Sequence, residues 1–377
     1  MIKYPMVDLK GQYIKIKSEI DGAISKVIDE AKFIKGPQVK SFNNSLADYL
    51  KVKHVISCGN GTDALQLALM ALELKPGDEV ITTPFTFIAT AEVIALLNLK
   101  PVFADVLPDT FNIDPDKIEP LITAKTRAII PVHLFGQVAD MQKIMNIAER
   151  NNLFVIEDTA QALGADIYDV NGDYKKAGTI GDIGCTSFFP SKNLGAFGDG
   201  GAVFTNNDVL AERLTSLSNH GMEVRYFHDR VGINSRLDTI QAAILEVKLK
   251  YLNQYCKDRQ KAAKFYNEGF AKTPQIKTPV KAPFTSHVYH QYTILLEGID
   301  REGLMDFLTS KGIASAIYYP VPIHLQKAYR MLGYNKGDFP VAETLSRNVL
   351  SLPIHTELTE EIQQFIIENI LDFINGK

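Results

Sequence analysis

Lys192 lies in Thr186-Ser187-Phe188-Phe189-Pro190-Ser191-Lys192-Asn193-Leu194-Gly195, at the end of an apolar run and bounded by proline and glycine. Desolvation in such a place disfavours the ammonium form, so the free amine becomes available for Schiff-base chemistry. Ser187, in the same segment, can offer its hydroxyl to an anion. Upstream, Phe154-Val155-Ile156-Glu157-Asp158-Thr159-Ala160-Gln161 delivers acid at the carboxyl end of an apolar strand, where open α/β sheets place their ligands. Strand alternation turns Glu157 and Asp158 to opposite faces, and Asp158 is expected to face the ligand. Gly59-Asn60-Gly61-Thr62-Asp63-Ala64 follows another apolar run and opens a helix, with Thr62 expected at its N-cap. Free N–H groups and the helix dipole at such a point favour a phosphate. Taken singly, each segment also reads as plain structure: an exposed loop lysine, an acidic helix cap, a capped turn.

Their order along the chain narrows the choice. A phosphate cup, a strand-end acid and a strand-end lysine together meet the needs of pyridoxal phosphate. The carboxylate would keep the ring nitrogen protonated and the ring able to accept electrons. Gln161, about one helical turn beyond Asp158, is placed to bond the ring hydroxyl.

The elements expected to hold these residues alternate. Strands are expected at His54–Ser57, Glu79–Thr83, Pro101–Ala104, Ala128–Val132 and Phe154–Ile156. Helices are expected at Val39–Leu50, Thr62–Leu74, Ile88–Leu99 and Asp140–Asn151. Such alternation predicts an α/β fold with a mostly parallel sheet covered on both faces. A long helix is expected from Asp238 to about Tyr266, crossing between two domains. Beyond about residue 275 the pattern predicts a smaller α/β unit, with strands at His290–Leu296 and Ala314–Tyr319 and a last helix from a Thr359 cap to Asn375. The domains are therefore drawn at 1–250 and 251–377, with the first dozen or so residues able to pack on the smaller one.

Composition excludes several classes. The 377 residues are 46% hydrophobic and 22% charged, with net charge -4, which is ordinary for a globular enzyme and gives no basic surface for nucleic acid. Lys248, Lys250 and Lys257 are expected on a solvated helix face. No apolar run is long enough to span a membrane and no secretory pattern opens the chain. The three cysteines, Cys58, Cys185 and Cys256, form no zinc or disulfide spacing, so no metal is expected and a cytoplasmic setting is. Gly178, Gly181 and Gly184 do not make a dinucleotide-binding loop. Asp105, Asp109, Asp114 and Asp116 read as turn formers.

GNGTDALQLAL, VIEDTAQALGA, TSFFPSKNLGAFGDGGA and GINSRLDTIQAA resemble segments of the DegT/DnrJ/EryC1/StrS family of nucleotide-sugar aminotransferases. FIKGPQVKSFNNSLADYL and YYPVPIHLQKAY extend the resemblance over nearly the whole chain. It implies an aspartate-aminotransferase-like fold (fold type I) and a homodimer with shared active sites. Lys192 then corresponds to the cofactor lysine and proton shuttle, and Asp158 to the pyridinium partner. Gln161 corresponds to the residue near the ring hydroxyl, Gly61, Thr62 and Ser187 to phosphate ligands, and Asn234 to a phosphate ligand from the other subunit. Phe87 fits the ring-stacking position better than Phe85. Glu30, Phe33, Arg236, Tyr318, Tyr319 and His324 are implied near the nucleotide sugar. His133 either lines the site or is a core histidine. Tyr318 departs from the histidine common in relatives, which weakens transfer of sugar specificity. Dehydrating relatives carry histidine in place of the lysine, so Lys192 implies amino transfer, with glutamate as donor and a keto group, at C3 rather than C4, as acceptor. The alternative from another class is a non-catalytic sensor that keeps the fold.

Overall fold

The computed structural model describes residues 2–168 and 172–376. Its centre is a seven-stranded sheet built from β1 (His54–Cys58), β2 (Glu79–Thr82), β3 (Lys100–Phe103), β4 (Thr126–Ile129), β5 (Phe154–Asp158), β6 (Ile183–Ser187) and β7 (Gly201–Thr205), in the order β1-β7-β6-β5-β4-β2-β3. The pairs β6–β5, β5–β4, β4–β2 and β2–β3 are parallel, and β7 runs antiparallel to both its neighbours. Six strands therefore point the same way, which makes the sheet mixed but mostly parallel. Strands β2 and β7 are buried along their whole length, as expected where helices cover both faces.

Two apolar layers flank the sheet. One includes Phe42, Leu46, Ile81, Ile129, Val155, Phe188 and Leu245; the other includes Leu65, Leu69, Val80, Ile130, Ile156 and Val203. The pairs Ile81/Val80 and Val155/Ile156 send neighbouring residues to opposite layers, as strand geometry requires. Each fully buried leucine or isoleucine here contributes about 2 kcal/mol of transfer free energy. The direction of the strands brings the carboxyl ends of β1, β2, β4, β5 and β6 to one edge. Gly59–Thr62, Thr83–Phe87, Pro131–His133, Asp158 and Ser187 meet there.

A second, three-stranded antiparallel sheet joins β8 (Ile276–Lys277), β9 (Tyr292–Leu296) and β10 (Val349–Leu352). Helices Leu252–Phe270, Arg301–Ser310 and Glu360–Ile374 enclose its core around Tyr266, Tyr292, Ile294 and Ile366. Thr359 caps the last helix by accepting from the Ile362 N–H. The N-terminal residues reach this unit, since Tyr4 donates to the Gly312 carbonyl and Met6 accepts from the Ile354 N–H.

Three expectations are corrected. The single helix over Asp238 to Tyr266 is two helices, Thr239–Leu249 and Leu252–Phe270, because the Tyr251 N–H bonds back to Lys248 and tightens the chain between them. Ala314–Tyr319 is not a strand; its backbone pairs with β10 at an isolated Ala316–Ser351 bridge. Lys250 and Lys257 are exposed, but Lys248 is buried to 1%. Among the described residues no helix is long and apolar enough to cross a membrane.

Candidate active site

The turn after β1 opens a helix beside the end of β6. Asn60, not Thr62, caps the Gly61–Ala71 helix, its side chain accepting from the Asp63 N–H at 2.8 Å. The correction follows from position: the cap lies two residues earlier, so Gly61 and Thr62 become the first two residues of the helix. Their N–H groups have no bonded acceptor among the described residues, as first-turn donors do not. A Cβ on Gly61 would lie 2.6 Å from the Ser187 Cβ, so only glycine lets this helix start approach the end of β6. Gly61, Thr62 and Ser187 thus surround one point. Ser235 locks the turn from below: its Oγ accepts from the Gly59 N–H at 2.9 Å and donates to Asp63 Oδ2 at 2.6 Å.

Asp158 stands at the end of β5 with its carboxylate held from two sides. Thr90 Oγ1 donates to Oδ2 at 2.9 Å and the Ala160 N–H donates to Oδ1 at 3.1 Å. Burial pushes its pKa up, against these donors and the charge of Lys192. Lys192 is the facing cation. Burial brings its ammonium down to about 8, although the Asp158 carboxylate pulls the other way. An acid and an amine therefore share one desolvated space, the amine poised near neutral pH.

Glu157 points to the opposite face, as alternation requires, and does something the sequence did not disclose. Its buried carboxylate accepts from His133 Nε2 at 2.9 Å and from the N–H groups of Gly178, Ile180 and Gly181 at 2.9, 2.6 and 2.7 Å. Ala139 N–H donates to His133 Nδ1, so Nε2 carries the proton. The evenly spaced glycines are thereby explained: Gly178 and Gly181 wrap a carboxylate, and a Cβ on Gly184 would strike the Gly178 carbonyl at 2.1 Å. His133 is a core histidine that braces the backbone behind Asp158.

Gln161 is fixed at both ends, its Oε1 accepting from the Phe135 N–H at 2.7 Å and its Nε2 donating to the Tyr319 hydroxyl at 3.0 Å. Burial raises the Tyr319 phenol well beyond its ordinary range, so it stays protonated. The two phenylalanines separate cleanly. Phe85 is wholly buried against Phe111, Phe135 and Tyr319, whereas Phe87 is 55% exposed with its ring 6.3 Å from that of Tyr319. Tyr318 neighbours both Tyr319 and Gln291, and burial raises its phenol against the Gln291 bond.

Other expected residues lie elsewhere. Asn234 is exposed beside buried Ser235, and Arg236 follows. Phe33 is exposed and its carbonyl accepts from the Thr239 N–H, three residues beyond Arg236. Lys35, passed over in the sequence, is in that cluster; burial and then the Arg236 charge lower its ammonium. Glu30 is exposed and accepts from Gln38. His324 is not brought to the opening: it is 1% exposed, paired with Glu343 at 3.2 Å and packed on Phe339. Asp105 is more than a turn former, since it accepts from Val341 and Ala342 at the start of the Pro340–Asn348 helix. Thr90, Ser235 and the Glu157–His133 pair had no motif to announce them.

The sequence profile described as the DegT/DnrJ/EryC1/StrS aminotransferase family matches residues 14–371. A protein of Geobacillus stearothermophilus named pleiotropic regulatory protein is 47% identical over 98% of this chain and 98% of its own. The UDP-2-acetamido-2-deoxy-3-oxo-D-glucuronate aminotransferase of Pseudomonas aeruginosa is 45% identical, covering 93% of this chain and 95% of its own. Among solved structures, DesV of S. venezuelae superposes with a TM-score of 0.94 at 39% identity, over 99% of both chains.

Proposed function

The chain belongs to the DegT/DnrJ/EryC1/StrS aminotransferase family, and we propose that it transfers an amino group from glutamate to C3 of a nucleotide-linked 3-keto sugar. It is a pyridoxal-phosphate-dependent aminotransferase of fold type I acting on a keto sugar in amino-sugar biosynthesis. The observation that carries the residue assignments is the meeting of the Gly61–Thr62–Ser187 cup, Asp158 and Lys192 at one sheet edge.

These residues fit the cofactor. The glycine-lined cup with its free N–H groups and hydroxyl would hold the phosphate. The buried Asp158 carboxylate would hold a protonated ring nitrogen, Gln161 the ring hydroxyl, and exposed Phe87 would cover a ring face. When bound, pyridoxal phosphate supplies an electron-accepting ring that stabilises negative charge on the carbon bearing the transferred nitrogen. Lys192 does the rest: its Nζ, with a pKa brought to about 8, takes a proton as the free amine and returns it as the ammonium. Thr90 and Ala160 keep Asp158 from turning away. The Gln161–Tyr319 bond closes one side of the space with groups that stay neutral.

Phe33, Lys35, Arg236 and, nearby in sequence, Glu30 are the residues we assign to the nucleotide sugar, with Tyr318 and Tyr319 on the sugar side. His324 is left out of that set because its ring is buried against Glu343. A homodimer is the assembly we assign. The hairpin of Met222–Val224 and Phe227–His228 supports it, since Val224, Tyr226, Phe227 and, just beyond, Val231 are all more than 60% exposed, and so does the exposed Asn234. We place the enzyme in the cytoplasm, a reading supported by three buried, unpaired cysteines. The amino sugar would serve a surface polysaccharide such as O-antigen, or a natural product.

The test is to supply purified protein with glutamate and a panel of 3-keto and 4-keto nucleotide sugars and to measure 2-oxoglutarate. Turnover of 3-keto sugars supports the proposal, and turnover of 4-keto sugars alone moves the amination to C4. Silence across the panel gives way to a regulatory role, as the name of the Geobacillus relative invites.

A further inference from the structure

Lys248 is buried to 1% of its surface, yet among the described residues its ammonium bonds one oxygen, the Gly195 carbonyl at 2.6 Å, and stands 5.4 Å from the centre of the Phe197 ring. Two turns earlier on the same helix face, Gln241 makes a paired contact with Phe197. Its Oε1 accepts from the Phe197 N–H at 2.8 Å, and its Nε2 donates to the Phe197 carbonyl at 3.3 Å. Gly195 and Phe197 belong to the loop that carries Lys192. Ser235, three residues ahead of the helix's Asp238 cap, bonds Gly59 and Asp63 in the phosphate cup. One continuous stretch, Ser235 to Lys248, thus touches both ends of the candidate site.

We infer that residues 235–248 form a brace that sets the position of Lys192 relative to the phosphate cup, with Lys248 and Gln241 as positioning residues. It rests on the reading of Lys192 as the cofactor lysine.

A cation buried for a single carbonyl is a poor stabiliser; a methionine would fill the same space without the desolvation cost. What the ammonium adds is direction. It pulls on one carbonyl of a loop already tightly wound, where Lys192 N–H bonds the Phe189 carbonyl and Ala196 N–H bonds the Phe188 carbonyl. A Cβ on Gly195 would lie 2.2 Å from the Pro190 carbonyl, so the loop closes on itself at that residue. The position of Lys248 in the last turn of the Thr239–Leu249 helix suits a cation, because the carbonyl end of the dipole lies there. Asn193, next to Lys192, is tied in turn to the Val288 carbonyl, so the loop is held from two further elements.

The experiment compares full-length wild type with Lys248→Met and Gln241→Leu. A brace predicts that Lys248→Met lowers kcat by roughly 10- to 100-fold with KM for both substrates within about twofold, the loss expected from misplacing a reacting group by about 1 Å. The thermal midpoint should hold or rise, which a merely structural role would not allow. Hydrogen exchange at the Ala196 and Phe197 amides should quicken, with and without cofactor. Gln241→Leu should move kcat and exchange in the same direction, and it carries the test if Lys248→Met does not fold. A kcat within twofold of wild type in the folded variants, or unchanged exchange in the loop, overturns the brace. Lys192→Ala separates the two readings: if it retains covalent cofactor and turnover, the assignment of Lys192 is at fault and not the brace.

Discussion

The poise of Lys192 can be measured without cofactor. Burial brings its pKa from 10.5 to about 8. At pH 7 the reactive free amine is then about a tenth of the population, against roughly one part in 3,000 for an ordinary lysine, a gain of about 300-fold. Competitive acetylation of cofactor-free protein with trace acetic anhydride, followed by quantitation of the Lys192 peptide across pH, reads this directly. Scaling each curve to its own plateau removes the effect of access and leaves the midpoint. The expected midpoint is near 8. Asp158→Asn should lower it further, because the carboxylate is what holds the ammonium up. A midpoint near 10.5, or one that rises in Asp158→Asn, would refute the picture of a desolvated amine paired with that acid.

Lys192→Ala should abolish covalent cofactor attachment, read as a borohydride-reduced lysine adduct, together with turnover. Gly61→Ala should weaken cofactor binding at least roughly tenfold by fluorescence titration, because its Cβ must displace Ser187. Glu157→Gln should cost about 2–4 kcal/mol in urea unfolding, since the amide nitrogen cannot accept from the N–H groups that surround it. Mixing Lys192→Ala with Arg236→Ala protein should restore activity if each site takes Arg236 from the other subunit; two inactive parents giving an inactive mixture would rule that out.

Most of the site was legible because its backbone rules are local. A strand that ends in acid, a strand that ends in lysine and a glycine turn before a helix each leave a short, contiguous trace. The separation of Asp158 from Glu157 followed from strand alternation in the same way, whereas the choice of Phe87 over Phe85 came from the family resemblance. What escaped depends on partners distant in sequence. Glu157 looks like a second acid in the text, and only the fold shows that its partners are His133 and the turn at Gly178–Gly181. The helix break at Lys250–Tyr251 carries no proline or glycine, so nothing local announced it. His324 sits in a segment that carries the family resemblance yet turns inward to Glu343.

Lys248 is the sharpest case, since a lysine flanked by charged and apolar residues at helical spacing reads as a solvated face. Its burial also leaves a signature in stability that composition could not foretell. Burial, then the Arg259 charge, brings its pKa to about 8 from 10.5. Between those values the unfolded chain binds more protons at this position than the folded protein does. The cost of burying the cation is therefore complete below about pH 8 and fades as the pH rises towards 10.5. The advantage of Lys248→Met over wild type in urea unfolding should accordingly shrink by up to about 3 kcal/mol across that window, one pKa unit being about 1.4 kcal/mol. A pH-independent difference would mean that the ammonium is as well solvated in the fold as in the unfolded chain. The bond to Gly195 would then be an incidental contact, not a charge held at a cost for the sake of the loop beside it.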